Sequence, residues 1–297
     1  MKFYSKVAAF MLIVMLGVLG CGDSSSFDSG NTGTLSLHLA DAPLVDEDNV
    51  TGVYISITGI EYHTNGGWHV MEEFNTSVNP INLLEWQDGN SISLGDFQMP
   101  AGKYTQMRFM LDATEEGAQP RGNVGCFIQF DGDRNETLYV PSGSETGYKA
   151  IGNYEVPING TVTMTADFDV RRSVTVTGSA PDSYYKLKPT IRLVVTDQAG
   201  GIKGIVSELN ASNTYVVYAY ESSNDLDPDS EASNDFINAV TSAAVKEGGS
   251  YTLSFLAEGS YDLIIAEYDE NGVNISNQVQ IGVIVTSGET TTFNWTL

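Results

Sequence analysis

The sequence predicts an all-β protein, built as two tandem antiparallel β-sandwich domains that follow a cleaved N-terminal signal and a flexible tether. Apolar and polar residues alternate in short runs along most of the chain, which is typical of half-buried strands. Gly, Asn, Asp and Pro bound these runs, as expected for turns between strands. The chain also contains 15 tyrosines and many Val, Ile and Thr residues, which favour a pleated surface.

The N-terminus resembles a bacterial lipoprotein signal. Lys2 and Lys6 precede a stretch, 7–19, in which every residue is apolar or glycine. That stretch has the length of a signal-peptide core and is shorter than the ~20 residues that cross a bilayer as a helix. It ends in Leu19-Gly20-Cys21, which resembles the lipobox. The resemblance implies that residues 1–20 are removed and that the Cys21 thiol is diacylated.

Two alternatives to this signal are a plain secretory signal with a chance cysteine and an uncleaved anchor helix. Several acyl chains would hold the protein stably on a membrane, whereas one chain would not. Gly22 follows the cysteine, where an Asp would resemble an inner-membrane retention signal. We therefore expect a lipid-anchored protein of the bacterial cell envelope, at the outer membrane. Residues 21–33 are rich in Ser, Gly and Asp and are predicted to be a flexible tether.

The charge balance excludes some partners. The chain has 14 basic and 38 acidic residues, a formal net charge of −24. Nucleic acids and anionic lipid head groups need a basic surface, so neither is an expected partner, and the predicted membrane contact is made by the lipid alone. The chain has two cysteines. Since Cys21 carries lipid, Cys126 has no disulfide partner, and its apolar neighbours predict a small buried side chain rather than a catalytic thiol.

The first predicted domain covers residues 34–197 and reads as a series of strands. Alternating runs such as "TLSLHLA", "VYISI", "TQMRFML" and "VTMTADFDV" place apolar residues on one face. Helical evidence is thin: 79–89 is predicted to form one or two turns, and 233–245 is predicted to be a loop that leads into a strand. The paired glycines Gly200 and Gly201 follow a long strand and mark the boundary to a second domain, 198–297.

Several stretches of the first domain resemble a family of unknown function. These are "LADAPL", "MPAGKYTQMRFML", "VPSGSETGYK", "ADFDVRRSVTVTG" and "YKLKPTIRLV", in this order. The chain is similar in them to the bacterial and archaeal domain of unknown function 4382. The resemblance implies a secreted lipoprotein, in agreement with Cys21. It implies no activity, so no catalytic residue can be transferred.

The second predicted domain resembles the transthyretin-like or carboxypeptidase-regulatory-like β-sandwich. The stretches "GIKGIV", "YVVYAY" and "GGSYTLSFLAEGSYDLIIAEYDENG" carry this resemblance. Residues 249–263 are predicted to form a hairpin that turns at Gly259, with "KEGGSYTLSF" pairing back onto the preceding strand. The resemblance implies a spacer or an interaction domain.

The stretch "GIEYHTNGGWHV" predicts a hairpin that turns at 65–67. With a loop of two or four residues, His63 lies opposite Trp68 and His69 falls on the other face. With a loop of three residues, His63 lies opposite His69 on the same face as Glu61. Only this last register makes a metal site from these three side chains, and the alternative is a pair of surface histidines.

Acidic loops are the other metal candidates, because carboxylate oxygens suit Ca²⁺. One loop offers Asp131, Asp133 and Asn135, but it lacks the Gly and the distal Glu of an EF-hand. The other offers Asp225, Asp227, Asp229 and Glu231. The competing interpretation of both is a solvated polar loop. We expect no tightly bound cofactor, with weak Ca²⁺ binding at these loops as an open alternative.

No phosphate-binding loop, zinc-protease or nucleophile-elbow pattern occurs in the chain. Asp167 and Asp169 flank Phe168 and are expected to pair with nearby arginines. Four aromatic residues are candidates for stacking on sugar rings: Trp68, Trp86, Tyr184 and Tyr185. Trp295, in contrast, is expected in the core.

These observations favour a non-enzymatic envelope lipoprotein with a binding, adhesion or scaffolding role, whose partner is an envelope protein or glycan. Two alternatives stay open. One is an enzyme, or an accessory subunit, that acts on envelope polysaccharide; a carboxylate pair in a cleft would favour it. The other is a Ca²⁺-stabilised structural module. The sequence does not fix the oligomeric state.

Overall fold

The computed structural model describes most of the chain after residue 27. The described ranges are 28–42, 50–112, 125–141, 146–177, 184–188, 190–222 and 226–297. The secondary structure is almost entirely strand, which confirms the all-β prediction. Cys21, the signal 1–20 and Asp225 lie outside the described residues.

The first large sheet has seven strands. In spatial order they are β1 (Asp28–Ala42), β10 (Thr161–Asp169), β13 (Ile191–Val195), β9 (Tyr148–Val156), β6 (Ile92–Leu111), β3 (Ile57–Thr64) and β4 (Gly67–Val70). The 20-residue strand β6 pairs with β9 through one half and with β1 through the other. Five of the seven strands therefore close on themselves, and β3 and β4 extend the sheet beyond the closure.

A six-stranded sheet shares its core with the first sheet. Its strands, in spatial order, are β11 (Val174–Thr177), β12 (Tyr184–Leu187), β8 (Arg134–Tyr139), β7 (Phe127–Phe130), β2 (Val50–Ile55) and β5 (Ile81–Asn82). Residues of both sheets, among them Leu37, Ile55, Phe109 and Phe168, form one cluster of buried apolar side chains. Period-two alternation supplies this core, because every second residue of a strand points to the same side.

Two smaller sheets form the C-terminal part. One contains β17 (Ser250–Leu256), β14 (Gly200–Ser207), β20 (Thr290–Thr292) and β21 (Trp295–Thr296), and the other contains β16 (Thr241–Ala244), β15 (Thr214–Glu221), β18 (Gly259–Tyr268) and β19 (Asn274–Val285). They share a second buried cluster, which includes Trp295 as expected. Among the described residues, no strand up to β13 pairs with a strand from β14 onward.

Two features of the structure differ from the prediction, namely the direction of some strand pairs and the length of the tether. The pairing is not purely antiparallel, since β1–β10, β13–β9, β12–β8, β14–β20 and β14–β21 are parallel. Each parallel partner is reached by a crossover long enough to return the chain to the same end of the sheet. The predicted tether 21–33 is also too long, because β1 begins at Asp28 and its residues Thr32 and Gly33 pair with β6.

The predicted hairpins around β17 are wrong. β17 pairs with β14, whereas β16 pairs with β15, and β18 pairs with β15 and β19. The chain therefore crosses between the two small sheets on both sides of β17. Alternation identifies which side of a strand is buried but not which strand lies beside it.

Helical structure in the described residues is short. The α-helices are α1 (Val170–Ser173) and α2 (Pro228–Ser233), and the 3-10 turns are Thr76–Val78, Leu83–Glu85, Asp131–Asp133 and Thr196–Gln198. The turn predicted within 79–89 is present at Leu83–Glu85. The segment 233–245, predicted to be a loop that leads into a strand, begins at the last residue of α2 and contains β16. No helix in the described part of the chain is long and apolar enough to span a membrane.

Candidate functional site

The side of the seven-stranded sheet that faces away from its core carries most of the charged side chains of interest. Residues directly opposite each other on neighbouring strands point to the same face. The register pairs Glu61 with Arg108, Arg108 with Lys149, Ile151 with Arg192, and Arg192 with Asp167. These strands turn their other side to the first core cluster, so this row lies on the outer face.

One end of the outer face is covered by the C-terminal sheets. Asp167 is 4% exposed and Thr165 is fully buried, although both point away from the core of their own sheet. Arg192 Nη2 lies 2.5 Å from Asp167 Oδ2, and Arg171 Nη2 lies 3.1 Å from Asp169 Oδ2. The expected ion-pair patch is therefore present, with Arg192 as a partner that the local sequence did not indicate.

Arg171 also joins the two parts of the chain. Its Nη1 donates to the Phe236 carbonyl over 2.6 Å, its Nη2 donates to the Ala239 carbonyl over 3.4 Å, and its guanidinium lies 5.4 Å from the ring centroid of Tyr218. Burial raises the pKa of Asp169, and the adjacent Arg171 opposes this rise. The carboxylate of Asp169 also caps α1 by accepting from the Arg172 amide.

Asp41 supports α1 from the end of β1. Its Oδ1 accepts the Val170 amide at 3.0 Å, and its Oδ2 accepts from Gln87 Nε2 at 3.1 Å. Desolvation raises the pKa of Asp41 well above its usual range, and the carboxylates of Asp167 and Asp169 raise it further. Asp41 therefore holds the turn that presents Asp169 and Arg171.

A groove runs between the two parts of the chain. One section has a volume of about 240 Å³ and is lined by Asp167, Asp169, Arg172, Glu221 and Asn238, among others. A second section of about 490 Å³ shares Arg192 and Glu221 with it and extends to Asn153 and Tyr261. The Nε of Arg192 is buried without a hydrogen-bond partner among the described residues.

The other end of the outer face is partly exposed to solvent. It carries six residues, which we call the open face: Glu61, His63, Trp68, Arg108, Lys149 and Ile151. The guanidinium of Arg108 lies 4.4 Å from the ring centroid of Trp68, and Lys149 Nζ lies 5.9 Å from it. Arg108 Nη2 also forms an ion pair with Glu61 Oε2 at 2.5 Å. Lys149 and Ile151 are exposed, and the exposed fraction of Ile151 is 68%.

The two ends suit different chemistry. At the covered end the carboxylates of Asp167 and Asp169 accept hydrogen bonds from Arg192 and Arg171, which link neighbouring elements of the chain. At the open end an indole, two cations and an apolar side chain lie on a pleated surface. Such a surface makes noncovalent contacts with planar rings and anionic groups.

The structure decides the register of the histidine hairpin. His63 lies opposite Trp68 and His69 lies opposite Tyr62, so the loop has two residues and the histidines point to opposite faces. His69 stacks on Tyr62 and lies within 2.8 Å of Thr64 Oγ1. The register that would bring Glu61, His63 and His69 together is not formed.

The predicted metal ligands lie in two separate loops. Asp227 caps α2 by accepting from the Asp229 amide at 3.1 Å, and Glu231 lies on the same helix. Asp131 and Asp133 form a 3-10 turn between β7 and β8, and Asn135 pairs with Gln129 in that hairpin. Within the described ranges, no group of three His, Cys, Asp or Glu side chains is arranged to hold a metal ion.

The remaining candidates are mostly packed against the protein itself. Burial raises the pKa of Cys126 to about 11, so this thiol is a poor nucleophile at neutral pH. Trp86 and Tyr185 pack against the first core, and Tyr184 contacts Tyr139 edge to face. Trp68 is the candidate that reaches the open face.

Sequence reasoning missed Arg108, Lys149 and Arg192. Each sits at a polar position of an alternating strand, where a charged side chain is unremarkable by itself. Glu61 and His63 are two positions apart in β3, so both lie on the outer side of that strand. Which strands lie beside β3 depends on long-range pairing, so the row of partners is not readable from local patterns.

Comparison with solved structures gives only remote likenesses. A leucine-rich repeat protein from Bacteroides thetaiotaomicron is 12% identical with a TM-score of 0.23; the alignment covers 90% of this chain and 26% of that one. The minor pilin of Streptococcus agalactiae is 11% identical with a TM-score of 0.20, covering 88% and 94%. The major pilin subunit of Bacillus cereus is 9% identical with a TM-score of 0.21, covering 89% and 99%.

The chain spans only 34% of the TIE protein of Bacillus anthracis, another such likeness. TM-scores this low indicate neither a shared fold nor a shared function. Among curated proteins there is no match. The family model described as "Domain of unknown function (DUF4382)" matches residues 32–189, which include most of β1, the open face and the Asp169–Arg171 pair. Because this match spans more than half of the 297 residues, the chain belongs to the DUF4382 family.

Proposed function

We propose that the mature protein is a lipid-anchored, non-catalytic binding protein of the bacterial envelope that contacts an acidic glycan through the open face. The observation that carries this proposal is the position of half-buried Trp68 beside Arg108 and the exposed Lys149. The chain as a whole has 14 basic against 38 acidic residues, so two cations beside one indole form a local exception to the acidic surface.

Trp68 and Lys149 make the proposed contact with the glycan. The Arg108 guanidinium lies over one face of the Trp68 ring, and the exposed part of this half-buried ring packs against the apolar C–H face of a pyranose. Lys149 attracts the carboxylate of an acidic sugar, since its ammonium is exposed and Arg108 is already bound by Glu61. Asn153 follows Ile151 by two residues on β9 and lines the groove, so a polymer can continue from the open face toward Arg192.

The contacts made by the buried carboxylates favour a structural role over polysaccharide cleavage. A glycosidase needs one carboxyl group that gives a proton and another that stays charged. Asp167 and Asp169 line the groove, but each accepts from an arginine. We therefore assign them to holding the two parts of the chain together.

The anchor and the remaining organisation complete the proposal. The signal 1–20 is removed, Cys21 carries the lipid, and the protein lies at the outer membrane, with a tether shortened to 21–27 by the start of β1. Residues 34–197 form the binding domain. Residues 198–297 form a transthyretin-like or carboxypeptidase-regulatory-like sandwich that acts as a spacer.

Binding is tested with the mature chain lacking lipid. Polygalacturonate, an acidic glycan, is titrated against it by calorimetry, with neutral dextran of similar length beside it. We expect Trp68→Ala to abolish the polygalacturonate signal, and Lys149→Glu to weaken it about tenfold, which corresponds to ~1.4 kcal/mol. Lys203→Glu is the matched control, since Lys203 is exposed in β14 of the C-terminal part. Unchanged affinity in Trp68→Ala would overturn the proposed site.

The anchor has its own test in a bacterial host. The wild-type chain is expected to partition into detergent with the membrane fraction. Cys21→Ala removes the thiol that accepts the lipid, and the variant should lose this partitioning. A Cys21→Ala chain that still enters the detergent phase would refute lipid attachment at this residue.

A Ca²⁺-stabilised module is the remaining alternative. One carboxylate oxygen of Asp227 accepts the Asp229 amide at the N-cap of α2. We therefore expect that adding EDTA leaves the melting temperature unchanged. A fall on EDTA that is reversed by Ca²⁺, and not by equal ionic strength of NaCl, would restore the metal hypothesis for these loops.

A further inference from the structure

The open face leads into the groove between the two parts of the chain. Ile151 of the open face lies opposite Arg192 of β13, and Asn153, two residues further along β9, lines the groove. Neighbouring strands are about 5 Å apart, and two residues along a strand span about 7 Å. Lys149 is therefore close enough to Arg192 that neighbouring units of one polymer can contact both.

The charges that line the second section of this groove are unevenly paired. Arg192 is held by the carboxylate of Asp167. Glu221 is the last residue of β15, Glu258 lies in the turn between β17 and β18, and both are exposed. Within the described residues, neither of these two carboxylates forms an ion pair or a side-chain hydrogen bond. The second section is therefore bordered by two negative charges that no cation compensates directly.

The position of Tyr261 shows that these charges face the same cavity. Its side chain lines the second section, and the residue lies opposite Glu221 in the pairing of β15 with β18. Burial raises the pKa of Tyr261, while Arg192 opposes this rise and Glu221 adds to it, so both charges lie near the Tyr261 hydroxyl. The same hydroxyl donates to the Ala257 carbonyl at 3.0 Å, directly before Glu258 in the chain.

The rest of the second section suits a neutral sugar. Its polar lining includes Asn153, Gln198 and Ser287, whose side chains both donate and accept hydrogen bonds. Val195 and Val240 add apolar surface. The volume of about 490 Å³ falls within the range of small-molecule sites, about 300–1,000 Å³. A neutral sugar unit can form hydrogen bonds there, whereas a carboxylated unit is repelled by the two unpaired carboxylates.

We infer that Glu221 and Glu258 make the groove selective for neutral sugar units, so that the preferred ligand is a glycan in which an acidic unit is followed by a neutral one. The acidic unit contacts Lys149, and the neutral unit enters the second section of the groove. The inference rests on the proposed function, because it requires a glycan bound at the open face. Repulsion of this kind sets specificity by excluding competing ligands rather than by adding an attraction.

Two acidic glycans that differ in charge density test this selectivity. Polygalacturonate carries a carboxylate on every unit, whereas hyaluronan carries one on every second unit. Fragments of matched length are titrated by calorimetry against the mature chain lacking lipid. We expect the wild type to bind hyaluronan about threefold more tightly than polygalacturonate. The double substitution Glu221→Gln/Glu258→Gln should remove most of this difference by raising the affinity for polygalacturonate.

Glutamine keeps the size of the side chain and an acceptor oxygen, so the affinity of the double variant for hyaluronan should not change. Glu247→Gln/Glu270→Gln is the matched control, because both residues are exposed in the C-terminal part and lie outside the lining of both groove sections. Equal wild-type affinities, or a double variant that gains no more than the control, overturn the selectivity and leave the proposed function intact. A wild type that binds neither glycan refutes the proposed function and this inference with it.

Discussion

At the residue scale, the junction between β1, β10 and α1 depends on a few buried charges. Asp41 uses both carboxylate oxygens, one on the Val170 amide and one on Gln87. Asp169 caps α1 and binds Arg171, which continues to the carbonyls of Phe236 and Ala239. These side chains connect the first core to the C-terminal sheets through polar contacts that are almost completely buried.

Asp41 makes stability depend on pH. Its pKa is raised in the folded protein, mainly by desolvation, so the folded state binds this proton more tightly than the unfolded chain does. The resulting stability is complete below the unfolded pKa and is lost as pH rises through the folded pKa. Asp41→Asn can still accept the Val170 amide, and we expect its free energy of unfolding to fall less steeply with rising pH.

Urea unfolding between about pH 4 and pH 7 measures this difference, within the range where carboxyl groups titrate in folded proteins. Asp229→Asn, which removes an exposed carboxylate, is the control and should follow the wild type. Parallel pH profiles for Asp41→Asn and the wild type would contradict the assignment.

Arg171→Met leaves the buried carboxylate of Asp169 without its closest cation. Both side chains are 7% exposed, and removing one partner of a buried ion pair costs about 3–5 kcal/mol. We expect a loss of this size in the free energy of unfolding, measured in urea. Arg172→Met is the matched control, since Arg172 is 33% exposed and 4.0 Å from Asp169, and it should cost less than about 1 kcal/mol.

Adding Asp169→Asn to Arg171→Met distinguishes charge from packing. Asparagine is also a good N-cap, so α1 keeps its first hydrogen bond. The double variant should recover part of the lost stability because the unpaired charge is gone. A double variant less stable than Arg171→Met would show that the loss comes from packing.

At the element scale, β14 organises the C-terminal sheets because three strands pair with it. β17 lies on one side, and β20 and β21 lie on the other. Phe293, between the two short strands, donates its amide to the Lys203 carbonyl at 2.9 Å. The close approach of this backbone requires a residue without a side chain at Gly204.

Gly204→Ala tests that packing. A Cβ at this position would lie 1.7 Å from the Phe293 carbonyl oxygen, which is backbone and cannot rotate away. We expect thermal unfolding to show a loss of about 2–3 kcal/mol from overpacking. Gly59→Ala is the control in β3, since its nearest neighbour would be Met110 Cγ at 3.8 Å, and it should change stability by about 0.5 kcal/mol or less. Equal effects of the two substitutions would refute the steric argument.

At the scale of the whole molecule, charge is distributed unevenly. The net charge is −24, while the open face gathers Arg108 and Lys149 around Trp68 and β19 carries no charge. An acidic surface keeps copies of the protein apart, and the open face, where the glycan contact is proposed, departs from this pattern. Function is thus proposed where the overall charge pattern is interrupted.

Salt should stabilise this acidic protein, because it screens the repulsion between its negative charges. Self-repulsion destabilises the compact state, and salt reduces it because the Debye length falls to about 10 Å at 0.1 M. We expect the melting temperature to rise from about 0.02 M to about 0.5 M NaCl, and KCl to act equally at the same ionic strength. Scanning calorimetry measures both series. A melting temperature that falls with salt would mean that attractive charge pairs outweigh the net repulsion.

The sequence by itself determined the all-β class and the turn-bounded strands, since both follow from local alternation and nearby residue types. The family followed from the resemblance of several stretches of the first domain, and the match over residues 32–189 confirms it. It also indicated the histidine hairpin and the acidic–arginine patch around Phe168. The alternative of a three-residue hairpin loop is wrong, because His63 pairs with Trp68 in the structure.

Only the tertiary structure decided which strands are neighbours. It separated β17 from β18 into different sheets, brought Arg192 to Asp167 across 25 residues, and aligned Glu61, Arg108 and Lys149 in one row. It also left β19 at an edge. The reason is physical: alternation fixes the buried side of a strand, whereas strand order follows from the packing of the whole chain around its cores.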